Sequence, residues 1–285
     1  MRFGTVGIVG LGLIGGSIAL DLKKKKLARR VVGFSRRLAT LKKAKRRGIV
    51  DEYFTDFAEG LPGLDFLVLA PPARTMEGYL RVMRRVRPDI LATDAVSVKD
   101  DIVRSAGKIL GPAGNFVGAH PIAGSEKSGL DAARENLFAG RTVLITPAPG
   151  ARRETVRKVH AFWRDLGAGT IVIKPGEHDR LLALTSHLPH LVAFALADQL
   201  RDERKNAKLT HCVGSGFRDT TRIAKSSPEL WADLFCANRK HLLTRLRRFE
   251  DTLQRLRKHI EGGASAQLER ELAEMKKSRE RHDER

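Results

Sequence analysis

Cysteine is nearly missing: Cys212 and Cys236 are the only two among 285 residues. That excludes a disulfide framework and a thiolate metal cluster, and a reducing cytoplasm is the expected compartment. Long hydrophobic runs are missing as well. No stretch reaches about 18 uninterrupted apolar residues, so no membrane span is expected. The apolar start is not expected to be a signal peptide either. It holds five glycines between Val6 and Leu22, and no small-residue cleavage pattern follows. Aromatics make up only 6% of the chain, and acids are outnumbered, 33 Asp+Glu against 53 Lys+Arg, for a net charge of +20. Such a surplus suits nucleic acid or an acidic membrane surface, and equally an anionic cofactor and substrate. The bases fall on separate candidate helices (Lys23–Lys26, Lys42–Arg47, Arg81–Arg87, Arg152–Lys158, Arg245–Lys258) without interleaved aromatics. They read as solvated helix faces, and nucleic acid is not the expected partner.

What the chain does have is glycine in one telling place. Val6–Val9 reads as a buried parallel strand that runs into Gly10-x-Gly12-x-x-Gly15, after which the pattern turns helical. Gly10 allows the tight turn, Gly12 lets a pyrophosphate approach the backbone, and Gly15 lets helix and strand pack closely. Leu13 and Ile14 belong to the same helix start, whose free N–H groups and dipole favour phosphate. A second strand at Val31–Phe34 completes the βαβ context of a dinucleotide site. At its carboxyl end an NAD-preferring site places Asp or Glu on the ribose hydroxyls. Here the residues are Ser35-Arg36-Arg37, and no acid occurs from Leu22 to Val50. A guanidinium can bind a 2′-phosphate that a carboxylate would repel, so the expected cofactor is NADP, with NAD as the alternative.

Strands at Asp65–Ala70, Ile90–Asp94, Asn115–Ala119, Thr142–Thr146 and Thr170–Ile173 alternate with helices at Arg74–Val86, Asp100–Leu110 and Arg152–Leu166. This predicts a Rossmann-type, doubly wound, mostly parallel sheet over residues 1–174. Ligands of such sheets lie beyond the strand carboxyl ends, so Pro71, Ser97 and His120 are expected to converge near a nicotinamide. Neutral imidazole is a suitable base for the hydroxyl proton of a hydride donor, which makes His120 the candidate. From residue 175 to 285 the chain reads as all helical. Leu242, Leu246, Phe249, Leu253, Leu256 and Ile260 form a stripe at helical spacing that packs on other helices, within the domain or across a dimer. His187 and His190 are three apart and would share a helix face, but no further ligand stands at a telling interval, so no metal is expected. Gly214-Ser215-Gly216 reads as a flexible loop leading to Arg218 and Arg222, a possible carboxylate clamp, though composition alone leaves surface solvation the simpler reading.

Five segments together resemble the prephenate/arogenate dehydrogenase family of tyrosine biosynthesis. They are Gly10–Ser17, Asp94-Ala95-Val96-Ser97-Val98-Lys99, Gly118–Glu126 with its His120-Pro121, Ser186-His187-Leu188-Pro189-His190, and Gly216–Arg222. The resemblance runs nearly end to end. It implies a dinucleotide-binding domain followed by a helical dimerisation domain, a homodimer, and oxidative decarboxylation of prephenate to 4-hydroxyphenylpyruvate. It assigns His120 as the catalytic histidine and Ser97 as the serine that orients it. Arg222 matches the arginine on the ring carboxylate, His190 a substrate-side histidine with Asp179 in support, Ser186 its neighbour, and Glu126 a carboxylate at the pocket entrance. Ser35-Arg36 is similar to NADP-using, often arogenate-specific members, while His190 and Glu126 are similar to prephenate users. Prephenate is the expected substrate, with arogenate, or both as in a cyclohexadienyl dehydrogenase, as the alternative. Two rival readings are a two-domain reductase of hydroxy or imino acids and a non-catalytic, NADP-responsive nucleic-acid-binding protein.

Overall fold

The computed structural model describes residues 3–111, 114–203 and 206–281. The strands are β1 (Phe3–Val9), β2 (Ala28–Phe34), β3 (Glu52–Phe54), β4 (Phe66–Leu69), β5 (Leu91–Asp94), β6 (Phe116–Pro121), β7 (Thr142–Thr146) and β8 (Gly169–Val172). They form one sheet in the order β3-β2-β1-β4-β5-β6-β7-β8. All pair in parallel except β6 with β7, where Gly118–Pro121 faces Val143–Thr146 antiparallel, with His120 opposite Leu144. That pairing carries β6 two residues beyond the expected Ala119, so His120 lies inside the strand. The short β3 has no apolar run and was not legible; it is held by its register with Val32–Phe34.

Helices α1 (Leu13–Lys24), α2 (Leu38–Arg46), α3 (Phe57–Gly60), α4 (Met76–Val86), α5 (Asp100–Leu110) and α6 (Arg153–Asp165) cover both faces of the sheet. Ile18 and Leu22 of α1, Leu41 of α2, and Phe162 and Trp163 of α6 share one core with Val6, Ile8 and Phe66. Met76, Leu80 and Met83 of α4 recur at helical spacing and share the other core with Ile102 and Leu110 of α5. Phe66 and Phe162 stack at 4.6 Å, and a fully buried side chain of this size contributes about 2–3 kcal/mol by area. Ser17 and the buried Asp21 of α1 accept the N–H groups of Arg134 (3.0 Å) and Asn136 (2.8 Å), tying the segment after β6 to the first helix.

Beyond the sheet the chain is helical: α7 (Pro175–Leu182), a π turn (Ala183–His187), α8 (Leu188–Asp198), α9 (Leu209–Cys212), α10 (Ser215–Thr221) and α11 (Pro228–Ala237). Pro175 and Pro228 open α7 and α11, where their missing N–H costs nothing. The expected glycine loop is instead the start of α10, with Gly214 as N-cap and Gly216 inside the helix. The continuous run Pro175–Arg201 has the length (27 residues) and mean hydropathy (1.3) of a membrane span. Only 22% of its most apolar window is buried, and its buried side carries His178, Asp179 and His187, which bond to β6, the start of α5 and Asn238.

One compact unit ends at Arg239 and a second begins at Lys240. The second is built of α12 (Arg239–Glu261) and α13 (Ser265–Glu280), joined at Gly262-Gly263. Glu271 receives both Arg255 (3.1 Å) and His259 (3.2 Å). On α12, Leu253 and Ile260 of the expected stripe remain exposed.

Candidate active site

Two neighbouring hollows open beyond the carboxyl ends of the strands. The first, of about 310 Å³, is lined by Gly10, Gly12, Ser35, Arg36, Thr40 and Pro71 among others. Each motif glycine has a distinct reason. Gly10 has φ +86° and a Cβ there would meet the Ala70 carbonyl oxygen at 2.3 Å, while a Cβ on Gly15 would lie 2.1 Å from Gly10 O. A Cβ on Gly12 would meet nothing within 4 Å, so that backbone faces open space. Gly12 also caps α1 with no side-chain bond, leaving the first N–H groups for an anion. These features, with the acid-free end of β2, fit a dinucleotide. Leu13, Ile14 and Gly15 do not line the crevice. Leu13 and Ile14 pack on the core, because a helix start turns its side chains away from the ligand its backbone meets.

The second hollow, of about 500 Å³, is walled by Ser97, His120, Glu126, Ser186, His190 and Arg222, together with Trp231 and Leu234. His120 and Arg222, 102 positions apart in the chain, thus share one cavity. Ser227 and Leu230 line both hollows. Of the three residues expected to converge, Ser97 and His120 face this cavity, whereas Pro71 stays in the crevice, because the segment after β4 turns toward the glycine loop. Arg222 lies 3.6 Å from Glu126, an ion pair at the cavity with the guanidinium more than half exposed.

The buried groups behind His120 form a chain that the sequence did not reveal. His120 Nδ1 meets His178 Nε2 at 2.8 Å, and His178 Nδ1 meets Asp179 Oδ1 at 2.7 Å. Asp179 also accepts the N–H groups of Lys99 (2.8 Å) and Asp100 (2.9 Å). A carboxylate can only accept, so His178 carries its proton on Nδ1 and presents a bare Nε2. His120 must then donate from Nδ1, which leaves its Nε2 as the basic nitrogen. Burial raises the Asp179 carboxyl, but the bonds from His178 and Asp100 outweigh it and hold it below its usual range. Burial, then the His178 ring and the Lys99 ammonium, hold His120 well below the ordinary histidine value, so it is neutral at pH 7. Asp179 therefore supports His178, not His190, and does not line the cavity. His178-Asp179 stood out in the sequence as a cluster without a role for His178, because adjacent residues of a helix do not normally share a task; the start of α7 aims His178 at β6 and Asp179 at the start of α5.

His190 donates from Nδ1 to the Ser186 carbonyl at 2.9 Å and stacks on Trp231, ring centroids 3.5 Å apart. Burial lowers it too. His187 does not share that face. The π turn carries it inward, where the Asn238 amide bridges its Nδ1 (3.0 Å) and the Asp179 carbonyl (2.8 Å). Burial first, against the opposing charge of Asp179, brings the His187 pKa down to about 4. In the unfolded chain the ring titrates near 6.5. The unfolded state then binds more protons between the two values, so this stability is complete above about 6.5 and is lost as pH falls toward 4, by ~3 kcal/mol in all. His187→Gln should accordingly flatten the fall of Tm between those pH values; an unchanged slope would place the acid sensitivity in other groups. Among the described residues no group of three or more His, Cys, Asp or Glu is placed to hold a metal.

With this geometry in view, comparison with known proteins is informative. The family described as "Prephenate dehydrogenase, nucleotide-binding domain" matches residues 18–172, and "Prephenate dehydrogenase, dimerization domain" matches 174–275. The crystal structure of prephenate dehydrogenase from A. aeolicus in complex with hydroxyphenyl propionate and NAD+ is 34% identical, with TM-score 0.88 and 98% of each chain covered. Synechocystis arogenate dehydrogenase is 31% identical, with TM-score 0.78 over 98% of this chain and 99% of that one. The prephenate dehydrogenase of Bacillus subtilis is 32% identical over 260 residues, 90% of this chain and 70% of its relative.

Proposed function

This chain belongs to the prephenate dehydrogenase family of NAD(P)-dependent oxidoreductases, and we propose that it converts prephenate to 4-hydroxyphenylpyruvate with NADP as the hydride acceptor. The observation that carries this reading is the His120–His178–Asp179 chain at one wall of a cavity whose other walls hold Arg222 and His190. NAD(P), held by Gly10, Gly12 and the start of α1 with Ser35 and Arg36, would supply the acceptor for the hydride of the ring carbinol carbon.

His120 Nε2 accepts the hydroxyl proton as that hydride leaves, and Ser97 beside it orients the hydroxyl. The new imidazolium keeps donating from Nδ1 to His178, and the Asp179 charge steadies it through that ring. Arg222 holds the ring carboxylate until it departs as carbon dioxide from the opposite carbon. Gain of aromaticity drives both departures, so the protein has mainly to position the ring and take one proton. Ser186 fixes His190 toward the side chain of the substrate, and Glu126 keeps Arg222 in place before the substrate arrives. Formation of reduced cofactor with prephenate, and much less with arogenate, is the expected result. A preference for arogenate would shift the reading to its dehydrogenase. Turnover of neither would remove it.

Ser35 and Arg36 are the proposed 2′-phosphate contacts, since both line the crevice at the end of β2. Arg36→Glu is expected to lower the NADP-to-NAD ratio of kcat/KM by about tenfold or more, the worth of one charge-assisted bond. An unchanged ratio would remove Arg36 from the cofactor site. We place the boundary between the two halves at residue 174, ahead of Pro175, and read the helical half as the homodimer contact. Its exposed Leu184, Leu243, Leu253 and Ile260 suit an apolar interface. Both cysteines are free and exposed, in keeping with a reducing compartment.

A further inference from the structure

Behind His120 lies an ion pair that the proton path does not use. Asp94 closes β5, Lys99 precedes α5, and both side chains are fully buried. The Asp94 carboxylate accepts the N–H groups of Val96 (3.1 Å) and Ala119 (2.9 Å) as well as the Lys99 ammonium. The ammonium donates in turn to the Ala119 carbonyl at 3.0 Å. Ala119 is thus held at its N–H and at its C=O, and that carbonyl belongs to the peptide bond that leads into His120. The Lys99 main chain is engaged as well, through its bond to Asp179. A closed ring results, from Ala119 through His120, His178, Asp179 and Lys99 back to Ala119, and Ser97 sits on the short segment between the paired residues.

Folding alone gives little reason for such a pair, because well-packed apolar residues of similar volume are often as stable or more so. We propose that Asp94 and Lys99 are positioning residues for the reaction: the pair fixes the peptide that carries His120 and sets the Lys99 ammonium behind its ring, so that substrate meets a neutral imidazole. The inference rests on the reading of His120 as proton acceptor.

The charged and titratable groups around His120 are few. Lys99 and Asp94 come from the β5–α5 segment, His178 and Asp179 from α7, and His187 from the π turn, while Glu126, Lys127, His190 and Arg222 line the cavity. After burial and His178, the Lys99 ammonium is the next influence that disfavours a proton on His120. Burial pulls Lys99 down and Asp94 up, and their mutual attraction, with three donors on the Asp94 carboxylate, opposes that pull.

The test compares kcat and KM across pH 5–9, with thermal melting, for the wild type, Lys99→Arg, the neutral double variant Asp94→Asn/Lys99→Met, and His120→Asn. The double variant should melt cooperatively, keep KM for prephenate within about threefold, and lose kcat by about tenfold or more. Its acid limb should move up by about one pH unit, because the imidazole would keep its proton to higher pH. Lys99→Arg keeps the cation and should keep the limb in place. A wild-type limb in the double variant, a shifted limb in the arginine variant, or a rate loss that only tracks lost folded protein would overturn the proposal. Should the double variant not fold, the arginine variant decides alone. If His120→Asn itself retains the limb, it is the assignment of the base that fails; if it abolishes the limb while the pair variants leave theirs unmoved, only this inference fails.

Discussion

His120→Asn is expected to lower kcat by about 10²–10⁴-fold while leaving cofactor affinity close to wild type. The amide keeps much of the volume of imidazole and can still bond to His178, so β6 and the buried chain behind it should persist. What disappears is a nitrogen able to take the hydroxyl proton. Hydride departure from a carbinol whose proton stays in place would build positive charge on oxygen, and the reaction would wait on water. The cofactor crevice does not include residue 120, which is why its affinity should hold. Cofactor titration followed by saturating-substrate kinetics separates the two quantities. Turnover within a few-fold of wild type would show that this histidine only fills space.

Arg222→Ala should act on the other parameter. Loss of a charge-assisted bond to a carboxylate is worth roughly 10–100-fold in KM, with kcat changed little, if the guanidinium grips substrate and transition state alike. The variant also strips Glu126 of its partner, 3.6 Å away in the wild type, and leaves a bare carboxylate facing an anionic substrate. The double variant Arg222→Ala/Glu126→Gln should therefore recover part of the loss. Collapse of kcat at an unchanged KM would mean that Arg222 has been given the wrong task.

Much of this site was legible because its parts stand at punctuated places in the chain. Gly10, Gly12 and Gly15 announce themselves by spacing, and Ser97 and His120 by following apolar runs. Arg222, Glu126 and His190 needed the family resemblance, since nothing local separates them from surface residues. The misreadings share one cause. His178, Asp179 and His187 were judged along the chain, whereas their roles come from what faces them across it: β6, the start of α5, and Asn238 beyond α11. Helical spacing could not reveal this, because the π turn breaks the very periodicity on which such a reading depends. β3, and the antiparallel sense of β7 whose residues did read as a strand, depend likewise on neighbours.

That turn has a mechanical consequence. It contains one residue more than a regular coil of the backbone, so deleting any single position from Ala183 to His187 would let the whole rod from Pro175 wind uniformly. Because the surplus is taken up inside that one turn, the helix on either side would keep its phase, and His190 would stay on the face of Trp231. What would be lost is the widened turn itself, the stretch that carries His187 inward to Asn238. The extra residue thus redirects one side chain without disturbing the rod before it or after it.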